Sequence, residues 1–188
     1  MRMNHPDPAP VIHTVGHSTH PLDEFLALLQ AHQVTRLVDV RTVPRSRHNP
    51  QYNRETLPDS LQSAGISYEH SAALGGWRKV QPDSVNTAWR EAAFQGFSDY
   101  MQTPEFWGEI EALLEEARGE RVAIMCAEAV PWSCHRRLIS DALLVRGAEV
   151  QHIISGGRLE EHTLTPWAVM ESDRITYPGP PPEETAAL

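Results

Sequence analysis

Short runs of consecutive apolar residues, each followed by an amphipathic stretch, recur along nearly the whole of this sequence. "VIHTVG" (11–16), "RLVDV" (36–40), "ISYEH" (66–70), "RVAIMC" (121–126) and "EVQHII" (149–154) read as strands. A run such as "VAIM" carries no polar residue at alternate positions, so both of its faces need cover, as in a parallel sheet. Strands alternating with helical segments at this spacing imply βαβ units. The expected fold is a single α/β domain over residues 11–170, with a mainly parallel sheet of about five strands and helices on both faces.

The intervening segments carry helix punctuation. Ser18 or Thr19 is placed to cap a helix with Pro21 early and Phe25, Leu26, Leu28 and Leu29 on its inner side. A short helix near 55–64 ends at Gly65, and residues 86–101 and 104–118 read as helical, with Pro104 opening the second. A last helix over 134–146 ends at Gly147. Residues 1–10, with three prolines, are expected to be flexible. Residues 171–188, Pro-rich and acidic at "YPGPPPEETAAL", are expected to form an extended or disordered tail.

Charge excludes some partners. Sixteen basic against 25 acidic residues give −9, so no overall cationic field draws the chain to nucleic acid or anionic lipid. No apolar run approaches the ~20 residues of a membrane span. The first residues lack the apolar stretch of a secretory signal. Two cysteines make no disulfide framework, so reduced thiols in a cytoplasm are expected.

In open parallel sheets, ligands bind beyond the carboxyl ends of the strands. Here those ends are polar. The first delivers His17 and Ser18, the second Asp39 and Arg41, and the loop 41–53 adds Arg45 and Arg47. The third leads to Gly75 and Gly76, the fourth to Cys126 and Glu128, and the fifth carries His152. The turn "CAEAVPWSCHRR" holds both cysteines. If Ser133 caps the following helix, Cys134, His135 and Arg136 occupy a first turn whose free N–H groups and dipole favour an anion. That field also stabilises a thiolate.

Plainer readings compete. Cysteine is often a small buried hydrophobe. Asp39 and Arg41 can form a structural ion pair, and His17 can merely orient the next helix. A metal site from Cys126, Cys134, His135 and His152 lacks the usual paired-ligand spacing, so no metal ligand is assigned. A loop as long as 41–53 is usually a lid or binding loop when it is not disordered.

The motifs "TVGHSTHPLDEFLALL", "LVDVRTVPRSR", "LGG", "GFSDYM" with "PEFW", "MCAEAVPWSCHRRLI" and "VQHI" together resemble the bacterial family called domain of unknown function 488, over about residues 12–154. Its motif positions map here onto Gly16, His17, Ser18, Asp39, Arg41, Pro44, Gly75, Gly76, Cys126, Glu128, Cys134, His135, Arg136 and His152. The resemblance implies no reaction. The order of "LVDVR", Cys126, a helix and "SGGRLEEH" is also similar to rhodanese-like sulfurtransferases, in which a strand-end cysteine carries a persulfide. The longer loop with Pro131 and Trp132, and the second cysteine, depart from that pattern.

The expectation is therefore an α/β enzyme, a thiol-dependent transferase or hydrolase, binding a small anionic or phosphorylated ligand such as a nucleotide. Cys126, Cys134, Glu128, His135, His17 and Asp39 are the candidates for chemistry. Ser18, Arg41, Arg47, Gly75, Gly76, Arg136 and His152 are the candidates for binding. The cofactor and the oligomeric state are open. Two alternatives stand beside it: a non-enzymatic module sensing a metabolite, a metal or redox state, and nucleic-acid processing through the basic loop, which the net charge disfavours.

Overall fold

The strand order β3-β2-β4-β1-β5-β6 is what positions everything else. The structure, a computed structural model, describes residues 8–179. The sheet consists of β1 (Val11–Gly16), β2 (Arg36–Asp39), β3 (Ser67–His70), β4 (Val122–Cys126), β5 (Glu149–Ile153) and β6 (Leu159–Glu161). The first five are parallel, and β6 returns antiparallel on β5. The single α/β domain and its mainly parallel sheet match the expectation; the sixth strand was not anticipated.

Right-handed crossovers decide which face each helix covers. From β1 to β3 the chain moves one way across the sheet, carrying α1 (Leu22–Ala31) and α2 (Leu57–Ser63) on one face. There Phe25, Leu29, Leu57 and Leu61 pack with Val15, Leu37, Ala123 and Met125. After β3 the direction reverses, and α3 (Ala92–Tyr100), α4 (Pro104–Gly119) and α5 (Arg136–Val145) cover the other face. There Phe97, Phe106, Ile110 and Leu138 pack with Ile12, Val38, Val122 and Ile124. The alternation along β4 sends Cys126 to this second face, beside α5.

Adjacent strands β1 and β4 thus send their outgoing chains to opposite faces. That arrangement opens a crevice at their carboxyl ends.

Local differences from the sequence expectation have physical causes. Pro21 itself occupies the cap position of α1 and no side chain caps the helix. Residues 86–91 are not helical: Asn86 accepts from the Tyr177 N–H at 2.9 Å and donates to Asp99 at 2.7 Å, while Ala88 N–H donates to the Tyr177 carbonyl. The final helix starts at Arg136, because Pro131–Ser133 forms a separate tight turn and leaves Cys134 extended. Ser133 therefore caps nothing.

Residues 171–179 also have defined structure, with Ile175 and Tyr177 buried. β7 (Val169–Glu171) and β8 (Arg174–Thr176) form a hairpin, and the side chain of Tyr177 is fully buried against Asp141. The rest of the expected tail, and residues 1–7, lie outside the described residues.

Candidate functional site

Two loops meet beyond the sheet. His17 N–H donates to the carbonyl of Cys126 at 3.0 Å, and Ser18 N–H to that of Ala127 at 2.9 Å, so the chain leaving β1 is stitched to the chain leaving β4. Gly16 permits this approach: a Cβ there would lie 1.7 Å from the Glu128 carbonyl oxygen.

The two cysteine sulfurs lie 2.6 Å apart, both thiols free and both buried. Above them sits Arg136, 1% exposed. Its Nε donates to Cys126 Sγ at 3.0 Å, Nη2 to the Glu128 carbonyl at 2.5 Å, and Nη1 to Thr14 Oγ1 at 3.3 Å. Among the described residues no carboxylate reaches it. A buried guanidinium without a carboxylate needs another anion, and sulfur is the nearest group able to become one.

The thiols titrate as a pair rather than as individuals. Burial opposes the thiolate, but at Cys134 the hydrogen bond from Cys126 and the Arg136 charge outweigh it and bring ionisation down to about 7. Burial and the bond to Cys134 hold the Cys126 proton well above the ordinary range. One proton of the pair leaves easily and the other stays, and the anion lies between Arg136 Nε, the Glu128 N–H at 3.3 Å from Cys126, and the Arg136 N–H at 3.5 Å from Cys134.

His135 adjoins Cys134. Its Nε2 lies 2.8 Å from the Val40 carbonyl, which can only accept, so Nε2 carries the proton. The lone pair of Nδ1 then faces Cys134 Sγ at 3.4 Å. Burial lowers the pKa of the ring, favouring the neutral form. Gly76 lies flat against this ring: a Cβ there would stand 2.7 Å from Nδ1.

Across the cleft, Asp39 and Arg41 form a forked, buried pair, with Nε to Oδ1 at 2.9 Å and Nη2 to Oδ2 at 2.6 Å. Tyr68 O–H also donates to Asp39 at 2.8 Å. Arg41 Nη1 donates to His17 Nε2 at 3.2 Å, and His17 Nδ1–H is directed to the Ser18 carbonyl at 2.9 Å. Burial holds His17 down to about 4, so it remains neutral and stacks on Tyr52 with ring centroids 4.2 Å apart.

A cleft of about 480 Å³ opens at this point. His17, Ser18, Arg41, Gly76, Cys126, Glu128, Cys134 and His135 line it, as do Arg45 of the loop after β2 and the exposed Trp77 beside Gly76. Glu128 presents its carboxylate at the exposed rim and its carbonyl to Arg136. Asp39, Gly75 and Arg136 stand immediately behind the lining, while Arg47 is exposed and is not part of it.

His152 lies on the interior side of Arg136, bonded to Thr14 and His162, so the conceivable set Cys126, Cys134, His135 and His152 is not brought together as ligands. Thr14, Asp141 and His162 also belong to this interior network. Only Asp141, an acid inside the apolar helix "LISDALLV", gave any sign of it in the sequence.

No helix among the described residues is long and apolar enough to cross a membrane. A family model described as Domain of unknown function DUF488 matches residues 21–143, more than half of the chain. It covers the cysteine turn, Asp39, Arg41 and the paired glycines, and stops short of His17 and His152 at either end. The likeness to rhodanese-like sulfurtransferases is not shown by this comparison. No curated protein and no solved structure matches.

Proposed function

The chain belongs to the DUF488 family, and from the site it carries we propose a thiol-dependent enzyme, a transferase or hydrolase, acting on a small anionic or phosphorylated substrate, with a nucleotide as one candidate. The observation behind this reading is the fully buried Arg136, which meets a cysteine sulfur and no carboxylate. A thiolate in that field is a ready nucleophile at neutral pH. Arg45 lines the same cleft and supplies positive charge for a bound anion, while the charge of Arg41 beside it is matched by Asp39. A reducing bacterial cytoplasm suits two cysteines that work as free thiols.

The pair provides both halves of a displacement. The thiolate attacks the electrophilic centre and forms a sulfur–substrate bond as the bond to the leaving group breaks. The neighbouring thiol, 2.6 Å away, gives the leaving group its proton. Water or an acceptor then displaces the sulfur, returning that proton to the pair. Glu128 at the rim takes that proton from the incoming water and passes it on to the pair.

A thermal-shift screen with inorganic phosphate and nucleoside monophosphates tests the pocket. Stabilisation of wild type that is lost in Cys126→Ser, Glu128→Gln or Arg136→Leu supports the reading; identical responses from wild type and variants reject it.

The sulfur contact favours a second reading, a dithiol redox couple. Each turnover would convert the dithiol to a disulfide and reduce one disulfide substrate to two thiols. Incubation with oxidised glutathione separates the two: a two-hydrogen mass loss with retained fold favours the redox couple.

A further inference from the structure

Behind the cleft a chain of hydrogen bonds runs from Arg136 through the interior to the far side of α5. Arg136 Nη1 lies 3.3 Å from Thr14 Oγ1, Thr14 Oγ1 is 2.7 Å from His152 Nδ1, His152 Nε2 is 3.0 Å from His162 Nδ1, and His162 Nε2 is 2.8 Å from Asp141 Oδ1. All five residues are buried. They come from β1, α5, β5 and the turn after β6, so the chain is a tertiary construction and not a local turn.

Its two ends dictate its polarity. A guanidinium only donates and a carboxylate only accepts. For uncharged imidazoles one arrangement satisfies both ends: Arg136 donates to Thr14, Thr14 to His152, His152 to His162, and His162 to Asp141. Asp141 is itself held by the Thr165 N–H at 2.9 Å and the Tyr177 hydroxyl at 2.8 Å. Burial, the neighbouring His162 and the Arg136 charge hold His152 down to about 3, which keeps it uncharged.

The placement of Asp141 has an electrostatic consequence. A carboxylate touching Arg136 would fix the guanidinium and also quench its charge, leaving nothing for the sulfurs. Four hydrogen bonds away, Asp141 fixes the guanidinium without touching it and leaves the charge facing Cys126. We propose that Thr14, His152, His162 and Asp141 are positioning residues that aim Arg136 at the Cys126–Cys134 pair and thereby set the reactivity of the thiolate. This holds whatever the substrate, because thiol ionisation is read without one. The thiols also face His135 just before α5, Glu128 on their own turn and, across the cleft, His17 and Arg41, and the test leaves these groups untouched.

The test follows the iodoacetamide alkylation rate of each cysteine against pH, by mass spectrometry of the intact folded protein. In wild type the rate is expected to rise through a midpoint near 7. Thr14→Val keeps the shape of the side chain and removes the hydroxyl, so the midpoint is expected to rise by about one pH unit. At about pH 7 that is a roughly fivefold slower reaction. Thr14→Ser restores the hydroxyl and is expected to return the midpoint to its wild-type place, which a purely packing role would not do.

Asp141→Asn reads the same midpoint from the opposite end of the chain, should Thr14→Val fail to fold. Folded Thr14→Val or Asp141→Asn with the wild-type pH profile overturns the inference, even if thermal stability has dropped.

Discussion

Arg136 Nε donates to Cys126 Sγ at 3.0 Å, both side chains being buried, and no described carboxylate competes. Replacing Arg136 with leucine removes a desolvated charge and three hydrogen bonds together, so the two effects oppose one another in stability. A net loss of about 1–3 kcal/mol is expected, from the Glu128 carbonyl and Thr14 hydroxyl left without their donor. Reactivity is the sharper reading: alkylation at about pH 7 is expected to fall tenfold or more, while Arg137→Leu, a neighbour that does not touch the sulfurs, leaves it unchanged.

Asp39 and Arg41 respond differently, because each is the other's charge partner. Asp39→Asn leaves Arg41 buried and unpaired, which costs about 3–5 kcal/mol. Tyr68→Phe removes one hydrogen bond to the same carboxylate and costs about 1 kcal/mol. Denaturant unfolding of the two variants measures both, and equal effects would show that the pair carries no special burden.

Gly76→Ala places a methyl group 2.7 Å from His135 Nδ1. The ring cannot retreat easily, held by its bond to Val40 and edge-packed on Phe97 with centroids 5.2 Å apart. A loss of about 1–3 kcal/mol is expected, together with altered Cys134 alkylation. Gly108→Ala, in α4 with nothing within 4 Å, is expected to go the other way by about 1 kcal/mol. Thermal unfolding of both variants reads the opposite signs.

Acid should unfold the protein through its histidines. His13, His17 and His152 are held down to about 4, about 4 and about 3 by burial, against 6.5 when exposed. The unfolded chain therefore binds more protons than the folded one as pH falls below 6.5. Their contribution is complete above that value and is lost progressively toward 4. Denaturant midpoints are expected to drop between about pH 6.5 and 5, with an uptake approaching three protons on unfolding. A flat profile across that window would show these rings to be solvated.

The strands and their parallel pairing were legible because apolar runs such as "VAIM" report burial on both faces directly. The gathering of Cys126, Cys134, Arg41 and His17 at one edge followed from strand ends alone, since a parallel sheet brings those ends together whatever lies between. Cap positions were less legible: Ser133 looked like a cap, but Pro131 started a separate turn two residues earlier. Residues 86–91 carry helix-compatible side chains, and their course is decided by Asn86 and Tyr177, distant in sequence. His152 looked like a residue of the same cleft from its strand end, yet it stands outside that lining, buried and bonded to neighbouring side chains. Only three-dimensional pairing with Thr14 and His162 reveals this.

The shared thiolate is tested most directly by ultraviolet titration of thiolate absorbance in the folded wild-type protein, with Cys126→Ser, Cys134→Ser and Arg136→Leu alongside. The expected result is one thiolate per chain appearing near pH 7, a second withheld well above the ordinary cysteine range, and loss of the early step in Arg136→Leu. Two thiolates rising together in the ordinary range, unchanged by Arg136→Leu, would contradict it.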